Sequence, residues 1–381
     1  MVAERDSSRR LIYVVTEDWF FLTHFMPMAR AAQKAGFEVT VVTKVGDRAR
    51  EIRNEGFRII ELPASRSSFG IGALLSTIWR LRSIFAQERP DVVHAIALKS
   101  VILGGVANLL GGGGPAVFSL TGLGYLWSGN TPFLRISRAT VRLALSLLAM
   151  RSSTIFTFEN EDDALEFTSL RRKMVIGGWG IDIAALPSRE RTQADLPVSV
   201  VYLGRMLKAK GIGQTVEAVQ LARQFTNVRL DLWGKPDPDN LTSLTEDELL
   251  GFSTLGGVTW HGWAPDISRA WQRADIAILL SEREGMPRSL IEAAAAGLPM
   301  IAFDVAGCRS IVRNGVNGFL APRGNIRAVA DAIETLAGDA ELRKRMGAAA
   351  RADFEQRFST GSIIPRITEI YLNLVRHPQM S

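Results

Sequence analysis

The sequence predicts an α/β protein built from two doubly wound, Rossmann-like parallel-sheet domains. Its 381 residues leave room for two or three domains at roughly 100 to 200 residues each. Short Val- and Ile-rich runs alternate with longer helical patterns, and the alternation stops once, at a polar stretch holding two prolines, before restarting. Continuous apolar strands alternating with helices imply a parallel sheet covered on both faces.

In the first series LIYVVT, from Leu11, precedes a helical pattern through PMARAAQKAG. FEVTVVTK, FRIIELP, DVVHAIA, AVFSLTG, TIFTF and MVIGG then follow as strands. IDIAALPSRERTQADLPVS reads as a linker, after which VSVVYLG, VRLDLWG, VTWHGW, IAILLSE, MIAFDV and GFLAP supply a second sheet. The tail is helical in pattern from Ile326 to Leu374, with interruptions at Gly338 and Pro365. The expected division is residues 1–187, residues 188–360, and a last helix, 361–381, crossing back onto the first domain. Two such halves face a central cleft at the carboxyl ends of their strands, where open α/β proteins bind ligands.

With 47% hydrophobic and 22% charged residues, the composition excludes a disordered chain. The single cysteine, Cys308, excludes an internal disulfide, and VAERDSSRR after Met1 is no apolar leader. Both favour the cytoplasm. The longest apolar stretches fall short of the about 18 residues that cross a bilayer. The net charge of +6 is unevenly placed: Ala64 to Ile155 holds nine Lys and Arg against two acids. No recognised nucleic-acid reader accompanies that basic window, so nucleic acid is not an expected partner.

The most informative segment is LLSEREGMPRSLIEAAAAGLP, Leu279 to Pro299. A buried strand runs into Gly285, Met286 and Pro287, and SLIEAAAAG reads as a helix. Proline suits a first helical position, leaving the amides of Arg288 and Ser289 at the positive end of the helix as an anion site. Glu284 and Glu292 add two carboxylates, good acceptors for sugar hydroxyls, so the segment suits a phosphorylated sugar. A helix cap and a surface ion pair are the alternative for the two glutamates. The second segment, YLGRMLKAKGIGQTVEA, sets Arg205 and Lys210 after a strand that ends at Gly204. Two cations beside a helix start suit a diphosphate, Arg bidentately and Lys as a point charge; exposed loop charges are the alternative.

GRMLKAKG, followed by EREGMPRSLIEAAAAGLP, resembles the retaining GT-B glycosyltransferases of family four, and the resemblance extends over most of the chain. GGWGIDIAAL, LWGKPDPDN, WHGWAPDI and DVAGCRSIVRNGVNGFLAP support it. The EGMPRSLIEA form is most similar to bacterial enzymes that extend lipid-linked glycans in O-antigen, capsule, exopolysaccharide or N-glycan precursor assembly. The resemblance implies an acceptor-binding, membrane-facing first domain and a nucleotide-sugar-binding second domain. By position, Arg205 and Lys210 would bind the donor diphosphate, Glu284 the donor sugar and Glu292 the ribose. The base would meet loops at Gly234-Lys235 and His261-Gly262-Trp263, with Trp233, Trp260 and Trp263 expected in core packing.

The chain departs from the family pattern in TEDWFFLTHFMPMA, which reads as a glycine-free loop after the first strand where many relatives carry a Gly-Gly loop, and in having Ser119 and Thr121 where some relatives place a histidine. His24, His94 and Thr121 are left as acceptor-side residues. The implied reaction moves a hexose or N-acetylhexosamine from a UDP-sugar to a polyprenyl diphosphate-linked saccharide, with retention and without a required cofactor or metal. Asp237-Pro238-Asp239 has metal-ligand spacing, but its proline-rich setting reads as a loop. A nucleotide-sugar epimerase or hydrolase of the same fold is the alternative; a nicotinamide oxidoreductase is excluded because no G-x-G-x-x-G follows the first strand.

TPFLRISRATVRLALSLLAM places Arg135, Arg138 and Arg142 on one helical face and Leu134, Val141, Leu145 and Leu148 at helical spacing. That pattern predicts a helix lying on an anionic membrane surface, apolar stripe inward, and hence a peripheral enzyme on the inner face of the cell membrane.

Overall fold

The computed structural model describes residues 9–62, 70–127, 129–151, 153–182, 197–238, 240 and 242–376. The chain divides into two compact units, Met1–Gly180 with Gly361–Ser381, and Ile181–Thr360. The expected boundary at 187 lies outside the described residues.

The first unit is a parallel sheet of β1 (Arg9–Glu17), β2 (Phe37–Lys44), β3 (Arg58–Glu61), β4 (Val92–Ile96), β5 (Ala116–Leu120), β6 (Thr154–Phe158) and β7 (Lys173–Val175), in the order β3-β2-β1-β4-β5-β6-β7. Ile12 pairs with Thr40 on one side and Val93 on the other. β4 and β5 are buried at every residue, which is why their sequences are largely apolar rather than alternating, each with one buried polar residue, His94 and Ser119. The helices are α1 (Asp18–His24), α2 (Met26–Lys34), α3 (Ala49–Asn54), α4 (Ile71–Glu88), α5 (Leu98–Leu109), α6 (Pro132–Leu148) and α7 (Glu161–Leu165).

The second unit comprises β8 (Val198–Leu203), α8 (Ile212–Ala222), β9 (Val228–Trp233), α9 (Glu246–Ser253), β10 (Val258–Trp260), α10 (Ile267–Gln272), β11 (Ile276–Leu279), α11 (Arg288–Ala295), β12 (Met300–Phe303), α12 (Ala306–Arg309), β13 (Gly318–Ala321), α13 (Ile326–Gly338) and α14 (Ala340–Arg357). Its sheet order is β10-β9-β8-β11-β12-β13, again parallel throughout. The chain then enters α15 (Thr360–Arg376), which packs in the first unit through Ile363, Ile367, Ile370, Tyr371 and Leu374. Arg366 in this helix donates to the carbonyls of Val175, the last residue of β7, and Ile176 after it.

Two readings of the first unit need correction. TEDWFFLTHFMPMA is not a loop: β1 runs to Glu17 and α1 starts at once, with buried Asp18 accepting from the Gly46 amide at 2.8 Å. In α6, Leu134, Val141, Leu145 and Leu148 do not face a membrane. They are buried, and Val141, Leu145 and Leu148 belong to the core that also holds Phe118 and Phe156. Burying such side chains stabilises the fold by about 1.5 to 3 kcal/mol each, so the stripe is committed to the sheet. Nor do its arginines form one free face: Arg138 donates to the Gly129 carbonyl and Arg142 pairs with Glu166, while Arg135 is exposed.

Candidate active site

The second sheet reverses its strand order between β8 and β11. Helices leaving two such strands go to opposite faces, which opens a crevice at the strands' carboxyl ends. The loops at those ends carry Lys210 and Glu284.

Tyr202, buried near the end of β8, donates its hydroxyl to the Arg205 carbonyl at 2.8 Å and so fixes the turn. Gly204 donates to the Trp233 carbonyl, and Gly234 donates to the Gly262 carbonyl at 2.7 Å. A Cβ on Gly234 would overlap the Gly204 carbonyl. These three predicted glycines therefore lace the loops after β8, β9 and β10 together, backbone on backbone. Lys210 ends a 3-10 turn, Lys208–Lys210, and Gly211 after it has a φ of 73°. A side chain at Gly211 would collide with the Leu280 carbonyl, so α8 starts hard against the end of β11.

That approach brings the Lys210 ammonium onto Glu284 Oε1. Ser281 donates to the same oxygen at 2.6 Å, so Oε2 carries neither bond. The Lys210 and Glu284 side chains are only 24% and 10% exposed, and partial withdrawal from water strengthens the attraction. Gly307 donates its amide to the Glu284 carbonyl at 3.2 Å, and a Cβ there would overlap the Gly285 carbonyl. Buried Met286 and Pro287 lead into α11. Pro287 precedes the helix rather than opening it, because its ψ of 111° is extended; Arg288 is the first helical residue, followed by Ser289, and no side chain caps the end.

Glu292, expected to meet a ribose, is buried: Arg288 Nε donates to its Oε1 at 2.7 Å and Trp271 Nε1 to its Oε2 at 3.4 Å. Burial raises its carboxyl above the ordinary range, against the opposing pull of Arg288. Arg205, half-exposed, holds Asp237 at 2.6 Å. Asp239, the other member of the metal-like pair, lies outside the described residues. Trp263 is not core packing: it is 65% exposed, with the Lys235 ammonium 5.4 Å from its ring centre. Trp260 donates to the Gly234 carbonyl at 2.8 Å, and Trp233 stacks on His261 at 4.2 Å. His261 in turn bonds Asp231 at 2.8 Å. Burial works to raise Asp231, but the bonds from His261 and Ser199 outweigh it, and its carboxyl lies below the usual range.

The acceptor-side residues belong to the first unit. His24 packs against Trp179, the ring centres 4.4 Å apart and the planes tilted by 37°. Thr121 lines a small cavity with Phe25, Thr157, Glu159 and Trp179. His94 departs from expectation: it lies wholly inside the sheet, its Nδ1 2.7 Å from the Tyr371 hydroxyl and its Nε2 2.6 Å from Ser119 Oγ. Its pKa is pushed down to about 3 by burial, so it is a neutral core residue.

Residues 188–353 match the family described as Glycosyl transferases group 1, and residues 10–159 that described as Glycosyl transferase 4-like. The chain belongs to the GT-B glycosyltransferases. This glycosyltransferase is 25% identical to an N,N'-diacetylbacillosaminyl-diphospho-undecaprenol alpha-1,3-N-acetylgalactosaminyltransferase of Campylobacter jejuni, over 93% of this chain and 96% of that one. It is 22% identical to the capsular polysaccharide biosynthesis glycosyltransferase CapM of Staphylococcus aureus, over 91% and 93% of the two chains. It shares its fold with Anabaena HepE, solved with UDP and glucose, at a TM-score of 0.73 and 18% identity over 95% of this chain and 98% of that one.

Four residues of the glycosyltransferase's site escaped sequence reasoning: Tyr202, Ser281, Trp271 and Gly307. Ser281 lies three residues before Glu284, a spacing that could have flagged it. Tyr202 stands at the same three-residue spacing from Arg205, whereas Trp271 on α10 and Gly307 in α12 act from neighbouring helices, which no local pattern announces.

Proposed function

We propose that this glycosyltransferase moves a hexose or N-acetylhexosamine from a UDP-sugar to a polyprenyl diphosphate-linked saccharide in bacterial surface-glycan assembly, with retention of configuration. The observation that carries the reading is the Lys210–Glu284 pair at the switch point of the second sheet. A donor diphosphate would take over Lys210 and draw Arg205 off Asp237, while Glu284, held by Ser281, offers Oε2 to the sugar hydroxyls. The bond from the anomeric carbon to the diphosphate oxygen breaks, and the acceptor hydroxyl oxygen bonds to that carbon. Its proton passes to the departing diphosphate. Lys210, Arg205 and the start of α11 balance the charge left on that group, and preorganised positive groups do this without reorganising at the moment of reaction. A ribose contact by Glu292 requires Arg288 to release one oxygen. The undecaprenol-linked substrate named for the Campylobacter relative and the UDP bound in HepE support the acceptor and donor classes; retention rests on the family resemblance.

The test is thermal unfolding with a panel of UDP-sugars and their ADP and GDP counterparts, since a bound ligand raises stability by mass action. Protection by a UDP-sugar, lost in Lys210→Ala, is expected; equal protection of that variant would overturn the diphosphate assignment. Turnover should persist in EDTA, because protein cations balance the leaving charge. Loss on chelation, restored by Mg²⁺ or Mn²⁺, would refute this.

A further inference from the structure

Although α6 sends Leu134, Val141, Leu145 and Leu148 into the core, it carries a second apolar stripe on its outer side. Phe133, Ile136, Leu143 and Leu147 follow at spacings of three, seven and four, and are 72%, 69%, 62% and 50% exposed. Met150, just past the helix, is 80% exposed. α4 repeats the arrangement with Ile71, Leu75 and Trp79, four residues apart and each more than half exposed. α5 lies between the two helices. A Cβ on its Gly105 would overlap Leu148 of α6, and Arg82 of α4 donates to the Leu110 carbonyl at its end. The outer stripes of α4 and α6 thus stand on one side of the first unit, flanking α5. A contiguous apolar surface of this kind is uncommon on a soluble face and marks a site of contact.

The charges beside it choose the occupant. α5 and α6 contain no carboxylate, and the single one in α4, Glu88, is held by Arg58 at 2.7 Å. Arg80 and Arg135 are exposed, and the Arg82 guanidinium sits 5.5 Å from the Trp79 ring centre. A second copy of the chain meeting this face about a two-fold axis would set cations against cations. An anionic bilayer surface takes both components, with apolar side chains at the acyl boundary and guanidinium groups among headgroups.

We propose that the outer stripes of α4 and α6 form a bilayer-insertion surface for anionic phospholipid, with apolar insertion the main source of affinity. This deepens the lipid-linked reading above and rests on it for its purpose. Vesicles of phosphatidylcholine, alone or mixed with phosphatidylglycerol, provide the test by co-sedimentation, with the fluorescence difference between wild type and Trp79→Phe reporting Trp79 alone among the eight tryptophans. Wild type should bind mixed vesicles with a blue shift of Trp79 and keep most of that binding in high salt. Phe133→Ser/Leu143→Ser/Leu147→Ser should weaken binding at least tenfold, whereas Leu165→Ser, an exposed leucine on α7, should not. Protection of the triple variant by UDP against thermal unfolding should match wild type, which separates this surface from the donor site. Unchanged vesicle binding by the folded triple variant would overturn the proposal. So would a wild-type dimer that the triple variant dissociates, since the stripes would then pair copies.

Discussion

Each sheet bears a hydrogen-bonded polar cluster beside its switch point, and the two clusters are built in opposite ways. In the first unit His94 on β4 is enclosed by Tyr371, Ser119 and, through Ser119, Thr157, all neutral and all buried. In the second unit Lys210 and Glu284 are charged, partly exposed and joined by a single carboxylate oxygen. A closed neutral network specifies one packing arrangement. An open charged pair with a spare oxygen can exchange partners. Partner saturation, rather than residue type, therefore distinguishes the two clusters, although a histidine would ordinarily draw the first mechanistic guess.

Breaking each cluster should produce a different kind of failure. The largest effect is expected in the open pair: Lys210→Ala and Glu284→Ala should each lower kcat/KM by about 2 to 4 kcal/mol, the scale of a lost preorganised electrostatic group. Steady-state kinetics alongside a melting curve checks this; a large fall in melting temperature with normal turnover would reverse the comparison. The closed network should respond to pH. The folded pKa of His94, about 3, lies below its ordinary 6.5, so its contribution is complete above 6.5 and is lost as pH falls toward 3. Going from about pH 7 to about pH 5 should cost about 2 kcal/mol of unfolding free energy. His94→Gln should remove most of that slope in denaturant titrations, with donor binding unaltered.

The remaining two predictions sharpen the boundary between the classes. Glu292 is buried like His94 but ion-paired like Glu284. Glu292→Gln should raise the donor KM about tenfold with a smaller change in kcat, because a ribose contact is alike in ground and transition states; a pure kcat defect would contradict that. Ser281→Ala should have the smallest effect, about 1 kcal/mol in kcat/KM as one hydrogen bond to the carboxylate is lost. Ser281→Thr should recover it.

The sheets were legible because doubly covered strands are apolar at nearly every position, as in VVHAI and AVFSL, where only His94 and Ser119 are polar. Lys210 and Glu284 could be singled out from the sequence because each follows a strand and stands beside a helix start, whereas their meeting and the lacing of Gly204, Gly234 and Gly262 join separate loops and could not. Which side of α6 the core takes was not legible either. The helix carries two apolar stripes, and nothing in PFLRISRATVRLALSLL tells which one the sheet claims; the choice is made by partners such as Gly105 and Phe156, far away in sequence. His94 was misjudged for a related reason, since its principal partner, Tyr371, stands 277 residues later.

That last separation bears on how the protein is made. A ribosome delivers the seven strands of the first sheet early, yet the helix that covers His94 and buries Tyr371 against Tyr13 emerges only after the whole second unit. The second unit is continuous in sequence and can finish folding while the older one still waits for its last piece. For the length of that delay the nascent chain lacks the apolar face of Ile363, Ile367, Ile370 and Leu374, and a stop codon between the second unit and that helix would make the delay permanent.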